Sequence, residues 1–543
     1  MEKKYNFLVL ICFLISFSIC SQNTVGTILN STASYKAYTL FTVKKETYLI
    51  NNCGQVINQW SSDYNSGKSV YLLEDGNLLR ASAGPNPGNI AIPGVGGRLE
   101  LFDWEGNVLW QYVYSNLDAS QHHDIYPMPN GNILILAASI LTDVDAIQLG
   151  RNPSNLNSNQ LYNEHILEIE PQGTNDVNII WRWDFKDHLT QDFDNTKDNF
   201  AVISENTQLM DINFLGESNG NANWMHINSV QYNEDLDQII LGSKTLSEFY
   251  IIDHSTTTAQ AASHSGGIYG KGGDLLYRWG NPQAYKQGDE NDQKLFGQHN
   301  PHWIPNGLLD EGKIILFNNG VHLTTPHSEI NIISPPTSAP GIYIKNNTTS
   351  FGPENPDYTY TSAINTDFYS PILSSAQRLQ NDNILICEGT SGRFFEIDSN
   401  NEIVWEYISP ISSGTILTQG ETPSSNNVFR AKKYALNYAG FANKDLTPGD
   451  PIEIDFDISN CNTLSTTKIY LSSITAHPNP VKTMLSFNSN DLIEKIEVFN
   501  SIGKKVITQF NKNKIDFSNI TKGIYHVKIY LNQQIITKKV LKL

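Results

Sequence analysis

Three histidines occupy one place in a repeated sequence pattern. His123 lies eight residues before Gly131 in HHDIYPMPNGNILIL (from His122), His299 eight before Gly307, and His226 eight before Glu234, which takes the turn position in HINSVQYNE. Lys68 and Ser374 hold the corresponding place in two further copies. Imidazole is a metal ligand, a nucleophile and an acid or base near neutral pH. One histidine at a strand mouth is better explained by structure than by function, but three in one phase point to function. Two chemistries follow. Three histidines make a known zinc arrangement. Alternatively, one imidazole is the nucleophile of a metal-free group transfer and the others serve as acid, base or anion donors. The surrounding residues favour the second: Asn228 supplies an amide, Lys244 and Arg378 supply cations, and Asp124 is the one immediate carboxylate. Neutral and cationic donors suit an anionic transferable group better than a divalent metal.

The elements that must position them are hairpins. Apolar run, turn, apolar run recurs in SVYLLEDGNLLRA (from Ser69), DIYPMPNGNILIL, NSVQYNEDLDQIIL (from Asn228), HWIPNGLLDEGKIILF (from His302) and AQRLQNDNILI (from Ala376). Asn-Gly and Asp-Gly between apolar runs are strong hairpin signals, because such turns need positive φ. A second hairpin type alternates with the first and ends in an aromatic, as at Trp60, Tyr112, Trp183 and Tyr407. Two hairpins make a four-stranded sheet, and sheets repeated along a chain with uneven loops read as a β-propeller. Five units are visible and NNVFRAKKYALNY (from Asn426) closes a sixth, so the expectation is an all-β, six-bladed propeller. A row of separate β-sandwiches is the rival, but no linker rich in Pro, Gly or Ser divides the units. Ring closure would aim the in-phase histidines at one axis. Strand alternation turns their neighbours His122 and His302 away from it.

The 543 residues suffice for one large β-fold and a small module, and a net charge of −18 argues against a nucleic-acid partner. Residues 1–21 read as a secretory signal peptide, with Lys3 and Lys4 before an apolar run from Phe7 to Ile19. No later run is long enough for a transmembrane helix. Cys53, Cys387 and Cys461 are too dispersed for a disulfide framework, and buried apolar thiols are the favoured expectation over a single bridge. No EF-hand pattern and no Gly-rich phosphate loop appears, and no cofactor is expected.

The runs HHDIYPMPNGNILIL, WMHINSVQYNEDLDQIILGSK, QHNPHWIPNG and SAQRLQNDNILICEGTSGRFFEID, in that order, closely resemble the bacterial arylsulfate sulfotransferase family that needs no nucleotide sulfate donor. The resemblance spans residues 35–450. It implies a six-bladed propeller that moves a sulfuryl group from a phenolic sulfate ester to an acceptor phenol, by a ping-pong route through a sulfohistidine. It further implies His299 as nucleophile, with His123, His226 and Asn228 around the sulfate. This chain reads GSK where the family commonly has Ser-Ser-Arg, so Lys244 keeps the charge but not the bidentate fork. Arg378 and Ser374 are further substrate-binding candidates, whereas Arg393 in SGRFFEID is expected to brace a hairpin.

From residue 471 Lys and Ile rise, and AHPNPVKTMLSF, IEKIEVFNSIGKKVITQF, KGIYHVKIYL and QQIITKKVLKL are short alternating strands, enough for a small β-sandwich. In its Pro-Asn-Pro, Gly-Lys, Gly-Ile-Tyr and basic end this tail resembles the C-terminal sorting domain of type IX secretion. That implies a secreted or surface location and the type IX machinery as partner of residues 471–543, with 451–470 as linker. Two other functions stand beside the transferase: a non-catalytic secreted propeller binding sulfated glycans or aryl ligands, and a metalloenzyme using the three histidines.

Overall fold

A computed structural model describes residues 23–94, 96–458, 461, 475–488, 493–500, 503–531 and 534–543. The expected signal peptide lies outside the described residues. The fold is all-β, 43% strand and 8% helix, and the chain divides into two units, Met1–Leu464 and Ser465–Leu543.

In the first unit the apolar alternation seen in the sequence becomes six antiparallel sheets of four or five strands. Each has one of six strands at an edge: Ser66–Leu72, Ala119–Pro127, Ile227–Asn233, His299–Trp303, Ser375–Arg378 and Ala431–Ala435. Consecutive sheets touch at these edges, and the sheet holding Ala431–Ala435 touches the one holding Ser66–Leu72. The arrangement is therefore cyclic. The turns behave as their sequences require: Gly131 (φ 88°) and Gly307 (φ 82°) sit in the left-handed region with open space beside them.

Both chain ends of the unit close the cycle. Ala431–Ala435 pairs with Ala37–Val43, and Gly26–Asn30 adds to the far edge of the last large sheet against Ile403–Ile408. The unit thus starts upstream of residue 35. Pro451 and Ile454 bridge to Gln55 and Thr418, which fastens part of the stretch expected as linker. Cys53 and Cys461 form a disulfide, while Cys387 is free and buried. The expectation of unpaired thiols is corrected, because ring closure brings together cysteines 408 residues apart in the chain.

An aromatic on the last strand of each second hairpin latches one sheet to the next, and in two hairpins it is Trp110 or Trp405, two residues before the expected terminal Tyr112 or Tyr407. The indole N–H groups of Trp60, Trp110, Trp183, Trp279 and Trp405 donate to the carbonyls of Asp103, Asp176, Gly273, Pro353 and Asn52, all at 2.7–3.1 Å. In the one sheet without such a tryptophan, the Tyr358 hydroxyl donates to Asn401 instead. A buried indole left without an acceptor would cost about 1–3 kcal/mol, so each ring both fills the space between sheets and fixes their registry.

In the second unit, strands Thr475–His477, Met484–Asn488 and Lys514–Asp516 form one sheet, and Ile493–Asn500, Lys505–Phe510, Gly523–Leu531 and Gln534–Lys542 another. Alternate residues such as Leu485, Phe487, Ile496, Val498, Val527 and Ile529 share one apolar core. No helix among the described residues is long and apolar enough to cross a membrane.

Candidate functional site

The three in-phase histidines meet. His123, His226 and His299 line one cavity of about 670 Å³, together with Lys44, Lys68 and Lys244. The rings of His123 and His226 are 4.8 Å apart between centroids. No carboxylate lines the cavity among the described residues, whereas Val43, Ile372, Leu373 and Phe429 give it apolar walls. In a chain of net charge −18, this is a local positive field with room for a planar ring.

A recurring backbone device aims the side chains. The ladder of each histidine-bearing strand slips at its mouth: between Gln121 and Ile125, between Ile227 and Ser229, and between His299 and His302. The first strand slips likewise between Ser66 and Val70. Lys68, His123, His226 and Asn300 take positive φ at or beside these slips, which non-glycine residues rarely adopt. Bulges re-aim side chains; Lys68, His123 and His226 take positive φ at the repeat phase, Asn300 one residue after it, and Ser374 shares the phase and the positive φ without reaching the cavity. Gly94 completes the cradle of His123. It accepts the His123 backbone N–H at 2.9 Å, and a Cβ on Gly94 would lie 2.2 Å from the imidazole.

Burial holds the imidazoles neutral. Burial first, and the Lys244 cation after it, bring His299 and His226 down to about 3. His123 is lowered by burial and then by His226, His122, His299 and Lys68. Hydrogen bonds select the ring hydrogens. The Asn319 amide donates to the carbonyls of Ser370 and Leu373, so its oxygen must accept from His299 Nδ1 at 2.8 Å. His299 Nε2 therefore keeps its lone pair. Asn223 donates to His226 Nδ1 at 3.0 Å, which in this amide orientation leaves the hydrogen on His226 Nε2.

The other predicted residues divide. Lys244 lines the cavity, with its ammonium 3.4 Å from Glu217. Asn228 is fully buried and donates to the Gln298 carbonyl, behind the cavity wall rather than in it. Ser374 is also fully buried, holding Ser370 and the Gly389 N–H. Arg378 is not brought to the histidines: it lines a second cavity of about 320 Å³ and pairs with Asp310 at 2.7 Å. Arg378 lies farther along its short strand than Ser374, at the opposite end from the histidine phase. Arg393 braces its hairpin through Glu388 and Glu406. Asp124 is buried against Arg430 at 2.8 Å, so its charge is spent inside the wall.

His302 faces the second cavity, as alternation predicts. His122 lies outside the lining too, yet its Nδ1 is 2.9 Å from that of His123, so one ring donates to the other. Its Nε2 lies 3.6 Å from Glu164, a buried carboxyl raised to about 8 by desolvation. Sequence reasoning missed this contact, because a bulge undoes simple alternation. It also missed Asn319 and Gly94, which carry no pattern of their own; Lys68 was visible from its phase.

No curated protein matches the chain. Among solved structures it is similar to the Myceliophteria thermophila Cps50 (Swd1) β-propeller domain at 9% identity, covering 78% of this chain and 95% of that one, TM-score 0.32. It is similar to virginiamycin B lyase from Staphylococcus aureus at 12% identity, covering 75% and 98%, TM-score 0.31. It is also similar to the Pseudomonas aeruginosa periplasmic gluconolactonase PpgL at 9% identity, covering 74% and 99%, TM-score 0.35. Residues 475–542 match the secretion system C-terminal sorting domain, which marks the protein for export to the cell surface or the medium. Residues 24–432, which include all three histidines, match the model of the Arylsulfotransferase (ASST) family, and the chain belongs to that family.

Proposed function

We propose that this protein is an aryl-sulfate sulfotransferase working by a ping-pong mechanism through sulfonated His299. The observation that carries the reading is the convergence of three neutral imidazoles and three lysines on a cavity that no carboxylate lines among the described residues. An aryl sulfate ester places its anion among the lysines and its ring against Phe429 and Leu373. His299 Nε2 attacks sulfur; the N–S bond forms as the S–O bond to the ring breaks, and the electron pair leaves on the phenolate oxygen. A bound sulfate anion raises the proton affinity of the imidazoles beside it, so His226 or His123 delivers a proton to that oxygen. In the second half the acceptor phenol returns its proton to the same imidazole and attacks sulfur, which frees His299. Asn319 keeps the Nδ1 hydrogen of His299 in place in both halves. Charge stabilisation and positioning carry most of such a transfer. Asn228 and Ser374 act on substrate only through the wall they build.

The same reading takes the six cyclic sheets as propeller blades, the second unit as a sandwich-like domain read by the type IX machinery, and residues 1–21 as the leader for the first membrane.

The test is brief exposure of the protein to 4-nitrophenyl sulfate followed by peptide mass spectrometry. A sulfonate on the His299 peptide that disappears when phenol is added supports the mechanism. Phenol-dependent nitrophenol release that vanishes with a chelator would instead favour a metal held by the three histidines, and no turnover would favour a binding propeller.

A further inference from the structure

Away from the histidine cavity, a second group of ligand-type side chains converges. His188, in the short 3-10 turn Phe185–His188, is fully buried and stacked on Trp183 with ring centroids 5.3 Å apart. Its Nε2 is 2.8 Å from the Ala261 carbonyl. A carbonyl can only accept, so Nε2 carries the hydrogen. Its Nδ1 is 2.9 Å from Asp274 Oδ1, and His264 Nδ1 reaches the same oxygen at 2.7 Å. In a neutral His188 ring that Nδ1 is a lone pair facing an anionic oxygen. Two acceptors pressed together in a buried place call for a cation between them, either a proton or a metal.

We propose that His188, His264 and Asp274 form a zinc site that clasps the loop 262–274 to the turn at His188. The donor atoms of the three residues all lie within 4.8 Å of one another. Around a tetrahedral zinc with bonds of about 2.0–2.1 Å, ligand atoms stand about 3.3 Å apart, so the two short contacts need open by about 0.5 Å and the widest pair need close by up to about 1.5 Å. Two imidazoles and one carboxylate suit zinc better than the all-oxygen shells of calcium or magnesium. A ligating histidine characteristically donates its other ring N–H to a carbonyl, as His188 does to Ala261. The backbone is shaped to the ring: a Cβ on Gly273 would meet the Ala261 oxygen at 2.0 Å and His188 Nε2 at 2.5 Å. His264 is 62% exposed, which leaves the fourth coordination position open to water. None of the three residues lines the histidine cavity, so the site is separate from the transfer chemistry.

The experiment uses the full protein stripped with a chelator, then given zinc chloride, desalted and assayed for bound metal and for its unfolding midpoint. The wild type and H299A are expected to retain about one zinc per chain and to unfold later with it. H264A, altered at an exposed position, should fold but bind zinc roughly ten-fold or more weakly and lose the midpoint shift. Wild type without bound zinc, or H264A binding as wild type does, overturns the proposal and leaves a proton as the cation between His188 and Asp274. Zinc lost from H299A but kept by H264A also overturns it, and moves the metal to the central cavity.

Discussion

The central histidines and His254 show how one side chain is set to opposite tasks. His254 is also largely buried, but Asp237 accepts from its Nδ1 at 2.7 Å and Glu168 from its Nε2 at 3.0 Å. Burial lowers its proton affinity, yet the two carboxylates outweigh burial and raise it to about 9. His299 has an amide where His254 has a carboxylate, and lysines beyond, and it is held neutral down to about 3. Burial lowers both rings; only at His254 do carboxylate partners outweigh it and make a structural cation, whereas His299 keeps a free lone pair.

The largest effect expected from this contrast is on turnover. H299A should lower the transfer of sulfate from 4-nitrophenyl sulfate to phenol by at least about 10³-fold, or about 4 kcal/mol. H254Q should leave the rate within about two-fold. If both variants lost activity equally, the contrast between the two sets would be structural only.

H254Q should instead appear in stability. A folded pKa raised from 6.5 to about 9 contributes fully below the unfolded value and is lost as pH rises through the folded one. The shift corresponds to about 3 kcal/mol, discounted here to about 2 because Asp237 is 36% exposed and screened by water. Denaturant titration should therefore show wild type more stable than H254Q by about 2 kcal/mol at pH 6, with most of that pH-dependent difference gone at pH 10. A difference that stays constant across this range would mean that packing against Trp181, 4.8 Å away, is what His254 contributes.

The phase of the histidines and the closing strand were legible because a repeat imposes one geometry on every copy. Counting back from the turn found the cavity residues in four hairpins, Lys68 included, and failed in the fifth, where it gives the buried Ser374. Counting also failed where the signal was not periodic. Arg378 looked inward by type but lies beyond the reach of the histidine phase. Asn228 stands next to a bulge that turns it into the wall. Asn319 and Gly94 come from neighbouring loops, and only folding brings them to their histidines. The disulfide was invisible for the same reason: nothing in the spacing of Cys53 and Cys461 says that the ring returns to its start.

Replacing the amide behind the nucleophile tests the comparison directly. N319D gives His299 the kind of partner that His254 has, at the loss of the donors to Ser370 and Leu373. The pKa of His299 should rise, and an imidazolium has no lone pair on Nε2, so activity should fall as pH drops through the raised value. The expected outcome is a rate at pH 6 about ten-fold below that at pH 9, about 1.4 kcal/mol, where wild type shows no such acid limb from His299. N319A, which loosens the ring without adding charge, should slow turnover evenly across pH. An acid limb in N319A as well would take the carboxylate out of the explanation.

The smallest effect concerns Lys244, which stands where the resemblance to the family implies an arginine. A lysine ammonium is a point charge, and here part of its field is directed at Glu217, 3.4 Å away. An arginine could place two parallel N–H groups on two sulfate oxygens while preserving the charge that helps keep His226 and His299 neutral. K244R should therefore lower KM for the aryl sulfate by about three-fold, under 1 kcal/mol, with kcat little changed, because the ground-state anion gains as much as the transition state. A fall in kcat with KM unchanged would show instead that the longer guanidinium crowds the in-line approach of His299, and that the lysine at this position is an adaptation rather than a loss.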